Sequence, residues 1–276
     1  MTESPSLRLA PEVLEYYQRG EEDARLRTGP GRLEFWRTQD VLRRVLPPAP
    51  ARVLDVGGAS GVHAEWLAGD GDQVEVIDPV PLHVELAGRL PGVTARIGDA
   101  RALPYPDSSA DVVLLLGPLY HLPDRDDRLR ALAEARRVAR PGGVVAAATI
   151  SRWAAVHDLI RLGDYAEERV RQACDESART GLLRGEAGIG FTTAYFHTPD
   201  EILAEFTAAG LPGARRYALE GVYGLYSEVN DWLDDPHRRS LLLAAARRTE
   251  CEPTLLGASN HMLTVATVPD APTGSS

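Results

Sequence analysis

Arg52-Val53-Leu54-Asp55-Val56-Gly57-Gly58-Ala59-Ser60-Gly61 is the stretch from which the rest of the chain is read. Residues 53–56, apolar except for Asp55, have the composition of a buried parallel strand, and the glycines behind them permit a tight turn into a helix. Such a turn lets main-chain N–H groups approach a ligand. The helix opening near Ser60 would direct its positive end at a carboxylate or phosphate. Taken alone, the stretch fits a nucleotide-type ligand and an ordinary tight turn alike.

The strand rhythm continues down the chain. Residues 74–77, Val-Glu-Val-Ile, predict a second strand ending on Asp78, 17 positions beyond Gly61. A carboxylate at that strand tip can accept both hydroxyls of a ribose. Residues 93–97 predict a third strand running into Gly98-Asp99-Ala100, where another acid can accept a bond from an adenine amine. Each aspartate taken singly serves equally well as a helix cap or a loop solvator. Residues 111–116, Asp-Val-Val-Leu-Leu-Leu, form the continuous apolar run of a central parallel strand buried on both faces.

The series DVGGASG, VEVID, GDARALPYPDSSADVVLLLG and RRVARPGG, in that order and spacing, resembles a class I S-adenosylmethionine-dependent methyltransferase over roughly residues 50 to 150. The resemblance implies an α/β fold: a Rossmann-like, seven-stranded, mostly parallel sheet with helices on both faces and the last strand antiparallel. It implies S-adenosylmethionine as cofactor and S-adenosylhomocysteine as product. By resemblance Asp55, Gly57, Gly58 and Gly61 hold the methionine and ribose end, Asp78 with Pro79 beside it the ribose diol, and Asp99 with Ala100 the adenine. Ala59 stands where the family usually has a middle glycine, which a methyl group tolerates at negative φ. Ligands of open α/β sheets sit outside the carboxyl ends of the strands, so Leu116 and Gly117 are expected to border the cofactor and Tyr120 and His121 the transferred methyl. A histidine there can take a proton, its ordinary pKa lying near 6.5. The alternative for Tyr120-His121 is a hydrogen-bonded cap under the loop.

The chain of 276 residues is 44% hydrophobic and carries a formal charge of −10, enough apolar content for one large core with an elaboration. No basic stripe runs through it, so nucleic acid is not expected as substrate. All 30 basic residues are arginine, which leaves no lysine for a Schiff base or a phosphate cradle. Cys174 and Cys251 are too few for a disulfide scaffold or a zinc site, and no metal cluster is apparent. The first ten residues lack a basic segment followed by an apolar core, and no run of about 18 apolar residues occurs. These readings predict a cytoplasmic protein without membrane contact, monomeric or homodimeric, acting on a small-molecule acceptor.

Five segments are expected. Residues 1–48 carry a helix opening at Pro11 and a second over 33–46, a segment that in the family often folds over the cofactor as a lid. Arg25, Trp36, Arg37, Tyr16 and Tyr17 are candidates to touch it, with Arg25 and Tyr17 assigned to the cofactor and Trp36 to the acceptor. An aromatic ring near the sulfonium would gain roughly 0.5–2 kcal/mol of cation–π attraction; helix packing is the competing role. Residues 49–150 form the cofactor-binding core, in which His63 is expected as a boundary residue beside Val62, Trp66 and Leu67. Asp124, Asp126 and Asp127 open a helix that Arg136, Arg137 and Arg140 close, and Pro141-Gly142-Gly143 stops it before a strand over 144–149. Residues 151–197, with helices over 151–158 and 165–180, are expected as an inserted helical cap lining the acceptor pocket through Phe196 and His197. Residues 198–268 complete the core: a capping box at Thr198, strands over 214–219 and 261–268, helices over 229–248 broken at Pro236, and a glycine-rich loop from which Tyr223 and Tyr226 can reach the pocket. Residues 269–276 are expected as a disordered tail.

Three functions fit these residues. A methyltransferase needs mainly positioning and few reacting groups, which suits a chain with no evident nucleophile; aromatic residues near the pocket favour an aromatic or indole-type acceptor. A nicotinamide-dependent reductase would commonly use a tyrosine and lysine pair, and lysine is absent. A protein that binds S-adenosylmethionine without catalysis is the third.

Overall fold

The computed structural model describes residues 25–185 and 192–270. The predicted helix at Pro11 with Tyr16 and Tyr17, residues 186–191 of the insertion, and the predicted tail beyond residue 270 lie outside them. In chain order the structure contains α1 (Gly31–Val45), β1 (Arg52–Val56), α2 (Val62–Gly69), β2 (Gln73–Asp78), α3 (Pro81–Ala87), β3 (Val93–Ile97), β4 (Ala110–Leu115), α4 (Arg125–Val138) and β5 (Ala139–Ile150). Between β5 and the next core helix lie α5 (Ala154–Leu162), α6 (Glu168–Thr180), β6 (Leu182–Leu183) and β7 (Ala194–Tyr195). The chain then completes the fold with α7 (Pro199–Ala208), β8 (Arg215–Ala218), α8 (Val229–Asp234), α9 (Pro236–Thr249) and β9 (His261–Thr267).

The sheet has seven strands in the order β3-β2-β1-β4-β5-β9-β8. β1 pairs in parallel with β2 and β4, and β9 runs antiparallel to both β5 and β8. Strand order reverses between β1 and β4, and a doubly wound sheet binds its ligand in the crevice at that reversal. The all-apolar run in β4 is explained by its position. Val113 and Leu115 pack with Leu132, Ala135 and Val138 of α4 and Phe206 of α7, while Val112 and Leu114 pack with Val41 and Leu42 of α1 and Leu67 of α2. A strand covered on both faces has no polar face to present.

Helix boundaries follow local chemistry. The Asp124 carboxylate accepts the Asp126 N–H at 2.7 Å to start α4, and Asp126 and Asp127 in the first turn complement Arg136 and Arg137 in the last. The Thr198 hydroxyl accepts the Glu201 N–H at 3.2 Å while the Glu201 carboxylate accepts the Thr198 N–H at 2.8 Å, the reciprocal capping box read in the sequence.

Several boundaries differ from expectation: α5 runs on to Leu162 rather than 158, and α6 starts at Glu168 rather than 165, after a 3-10 turn over Asp164–Ala166. β5 begins at Ala139 rather than 144, directly after α4, because Ala139 is already extended and pairs with Ala110; the Pro141-Gly142-Gly143 stretch is a register shift inside the strand, and Arg140 belongs to the strand rather than to the helix. α5 begins at Ala154 rather than 151, because Ser151 and Arg152 prolong the β5 path: their N–H groups donate to Asn260 O (2.8 Å) and His197 O (2.9 Å). Among the described residues no helix is long and apolar enough to cross a membrane.

Candidate functional site

The carboxyl ends of β1 to β4 open on a cleft enclosing about 1220 Å³, part of it continuous with solvent. Its wall includes Asp55, Gly57, Gly58, Asp78, Pro79, Asp99, Ala100, Leu116, Gly117, Tyr120, His121 and Arg25. The sequence therefore brings ten expected cofactor residues and both expected catalytic residues to one surface. Gly61 is not on that wall; it caps α2 in the left-handed region and a side chain there would strike Leu90. Tyr17 lies outside the described residues.

The glycine turn is shaped first by protein packing. Gly57 has φ +70° and an added Cβ would stand 2.8 Å from Pro118 Cδ; at Gly58 it would stand 2.5 Å from Asp55 Oδ2. Side chains at either place would push the turn off the β4 loop and off the acid it surrounds. Ala59 departs from expectation. Its φ is +49°, not negative, so the residue standing in place of the family's glycine occupies the left-handed region. The Ala59 N–H donates to Asp78 Oδ2 at 3.0 Å, and this bond holds the strained turn to the tip of β2.

The three acids differ in how far the protein itself satisfies them. Asp55 is fully buried, and among the described residues neither carboxylate oxygen has a hydrogen-bond partner. Burial, with the Asp78 charge adding to it, pushes its pKa up to about 7. Asp78 accepts three bonds, from Ala59 N, from Val80 N at 2.9 Å and at the His83 Nδ1 edge at 3.0 Å, which leaves one of its roughly four acceptor positions. Asp99 is gripped by Arg101 through Nη2 (2.6 Å) and the backbone N–H (2.8 Å), and Arg101 reaches Asp127 at 2.7 Å. Burial works to raise the Asp99 pKa, but these Arg101 bonds outweigh it and hold it below its ordinary value.

Tyr120 and His121 end a 3-10 turn over Pro118–His121, their rings edge to face at 4.6 Å. Burial drops the His121 pKa to about 3, so the ring is uncharged throughout the neutral range. The turn is clamped from behind. Arg128, fully buried on α4, donates to Leu122 O (2.9 Å) and Pro123 O (2.8 Å) and pairs with Glu205 of α7 at 2.8 Å, with the Tyr195 ring 3.7 Å from its guanidinium carbon. Arg128 went unnoticed in the sequence because it stands within an arginine-rich helix whose other cations are partly or fully exposed.

The remaining wall comes from α1, α2 and the chain before them, and includes Glu34, Thr38 and His63. Glu34 pairs with Arg25 and stands 3.4 Å from His261, which also bonds Glu220. Burial disfavours the Glu34 charge, but Arg25 and His261 reverse that and keep it ionised; burial likewise opposes the His261 charge, but Glu34 and Glu220 raise its pKa to about 9. Ligand atoms of Glu34, Glu220 and His261 lie within 4.8 Å of one another. Their carboxylates are already neutralised by Arg25 and the imidazolium, which leaves little attraction for a metal ion.

The four residues assigned to the acceptor lie away from the cleft wall. Trp36 and Tyr223 pack with Leu33, Val229 and Leu233 under α8, and Arg239 sits 4.4 Å over the Trp36 ring. Phe196 packs with Ile150 and Leu183, and His197 is fully buried beside Glu205 at 3.3 Å. None of these four is on the cleft wall, because α8, α9 and the β7 segment need them to cover their own apolar faces. Tyr226 is exposed outside the cleft. Arg37, expected in the lid, is fully buried and donates to Leu219 O at 3.1 Å and to Glu250 and Asp40.

The residues present fit S-adenosylmethionine. Asp55 offers an unsatisfied carboxylate to its ammonium, Asp78 one acceptor position to a ribose hydroxyl, and Gly98-Asp99-Ala100 a strand-end loop to the adenine edge.

A family model described as "Methyltransferase domain" matches residues 54–147. An uncharacterised methyltransferase of Mycobacterium tuberculosis is 37% identical over 100 residues, 36% of this chain; the match spans 40% of that relative's length. A demethylmenaquinone methyltransferase of Beutenbergia cavernae is 30% identical over 188 residues, covering 58% of this chain and 77% of the relative. The crystal structure of a SAM-dependent methyltransferase from Methanosarcina mazei superposes with a TM-score of 0.55 over 84% of this chain and 98% of that one, at 19% identity.

Proposed function

Because the chain belongs to the class I S-adenosylmethionine-dependent methyltransferases, we propose that it moves a methyl group from S-adenosylmethionine to a small, uncharged acceptor. The observation that carries this reading is Asp55, a buried carboxylate that no described residue bonds, in the wall of a cleft that Asp78, Asp99, Tyr120 and His121 share. A group of that kind is costly unless a bound cation meets it. The acceptor's lack of charge is supported by the cleft's own cations, since Arg25 and Arg101 are each committed to carboxylates.

The cofactor supplies an electrophilic methyl on a sulfonium sulfur. Asp55 would hold the ammonium of its amino-acid end, Asp78 a ribose hydroxyl, and Asp99 with Ala100 the adenine edge. The Pro118–His121 turn holds Tyr120 and His121 over the opposite wall, and Arg128 fixes that turn through the Leu122 and Pro123 carbonyls. When bound, the sulfonium would supply its methyl to the acceptor's nucleophilic atom and keep the carbon–sulfur electron pair as the thioether, with the acceptor's proton going to water. His121 is a weak base with a pKa of about 3, so its service is to accept a hydrogen bond that orients the nucleophile. Alignment supplies most of the effect, on the order of 7–11 kcal/mol in well-oriented systems.

The test is calorimetric titration with S-adenosylmethionine, S-adenosylhomocysteine and nicotinamide dinucleotides, then transfer of labelled methyl into a panel of uncharged hydroxylated and aromatic acceptors. Micromolar binding of the sulfur compounds with transfer supports the proposal. Binding without transfer favours a non-catalytic role, and a preference for dinucleotides reopens the reductase.

A further inference from the structure

His63 is a buried side chain on the cleft wall that the methyl transfer does not use. It stands on the first turn of α2, two residues beyond the glycine turn, and is 7% exposed. Its Nδ1 lies 3.2 Å from the Trp66 indole nitrogen. An indole N–H is a donor only, so Nδ1 of His63 must accept, and a neutral ring then carries its proton on Nε2. The ring is neutral at pH 7: burial, with Arg25 and Arg27 nearby, brings its pKa down to about 4 against the opposing pull of Glu34. Phe35 packs against the ring at 5.5 Å, which fixes its plane. Among the described residues no group bonds Nε2, and His63 is part of the cleft wall.

The fold therefore presents a directed N–H donor, set by Trp66 and held in place by Phe35, beside the turn that receives the cofactor. Its partner must be an oxygen or nitrogen lone pair. Asp78 and Asp99 lie at the ribose and adenine ends, so Asp55 and the α2 end of the cleft fall to the amino-acid end, which carries one anion. Of the charges near His63, Arg25 pairs with Glu34 and Arg27 with Glu65, so the directed N–H donor itself, rather than a net positive field, selects that anion.

We propose that His63 is a cofactor-binding residue whose Nε2–H donates to the α-carboxylate of S-adenosylmethionine. This rests on the cofactor reading under Proposed function and adds a residue and a ligand group to it.

The experiment compares two ligands by calorimetry: S-adenosylhomocysteine and its decarboxylated counterpart S-adenosyl-3-thiopropylamine, which keeps adenine, ribose, thioether and amine. His63→Phe, which can stack on Phe35 but cannot donate, should weaken S-adenosylhomocysteine about tenfold or more, as expected for loss of a hydrogen bond to a charged group, and leave the amine's affinity unchanged. His63→Gln, which keeps an N–H donor, should return part of the loss, and it serves as the informative variant if the Phe protein fails to fold. Nitrogen-15 spectra of the histidines in the wild type and His63→Gln should assign to His63 a protonated Nε2 and an unprotonated Nδ1 at pH 7. Equal losses for both ligands, undiminished S-adenosylhomocysteine binding in both variants, or the opposite tautomer would overturn the proposal while leaving the cofactor reading intact. Failure of the wild type to bind either ligand would overturn both.

Discussion

Asp55 makes the stability of the ligand-free protein depend on pH in a direction opposite to that of most carboxylates. Its side chain ionises near 3.8 in the unfolded chain and near 7 in the folded one, because burial and the Asp78 charge disfavour the anion. Below pH 4 both states hold the proton and there is no penalty. Between pH 4 and 7 the unfolded chain releases its proton while the folded chain keeps it, so stability falls as pH rises; above 7 the full penalty applies. The gap between 3.8 and about 7 corresponds to roughly 4 kcal/mol at 1.36 kcal/mol per pH unit. Asp55→Asn removes the titration while keeping the shape. Its amide is itself imperfectly satisfied, at a cost of about 1–3 kcal/mol, but that cost does not vary with pH. Urea unfolding of both proteins from pH 4 to 8.5 should show the variant gaining about 4 kcal/mol on the wild type across that range. Affinity for S-adenosylhomocysteine should fall tenfold or more at pH 8, where the wild-type carboxylate is ionised. Parallel stability profiles would refute the reasoning, because they would mean that Asp55 is satisfied in solution and exerts no pull on a cationic ligand.

Other positions separate cofactor binding, turnover and folding. Asp78→Ala should weaken S-adenosylhomocysteine before it affects turnover at saturating cofactor, and it also releases Ala59 and His83, so calorimetry should show a loss of at least tenfold. His121→Ala should leave cofactor affinity within about twofold while lowering kcat, and the wild-type kcat should show no inflection near pH 6.5 from this ring, whose pKa is about 3. Ala59→Gly removes a left-handed alanine that costs about 1–2 kcal/mol and adds back roughly 0.4–1 kcal/mol of unfolded-chain freedom, so thermal unfolding should shift upward by one to a few degrees. Arg128→Met leaves Glu205 unpaired beside His197 and should cost about 3–5 kcal/mol in urea unfolding, which His197→Phe alone would not reproduce.

The fold was legible because its signals are local and redundant. Residues 111–116 have no polar face, and only a strand covered on both sides lacks one; Thr198 and Glu201 bond each other's backbone within one turn. That Asp55, Asp78 and Asp99 share one cleft was legible for a related reason, since each stands at or beside a strand's carboxyl end, and parallel strands deliver those ends to one edge of the sheet. The surroundings of Trp36 were not, because helix faces are decided by what packs on them. Trp36 has the same composition whether it meets a ligand or Arg239, and here α8 and α9 lie over it. His63 illustrates the converse: its role as a donor is set by the indole of Trp66, three residues on, and by Phe35 from another helix, so only the assembled cleft distinguishes it from a boundary histidine. A cleft edge built from α1 and α2 rather than from strand ends can change with helix packing while Asp55, Asp78 and Asp99 stay in register. The sheet and the cofactor end are therefore coupled to one another through strand pairing, and the acceptor end is free to vary on the same scaffold.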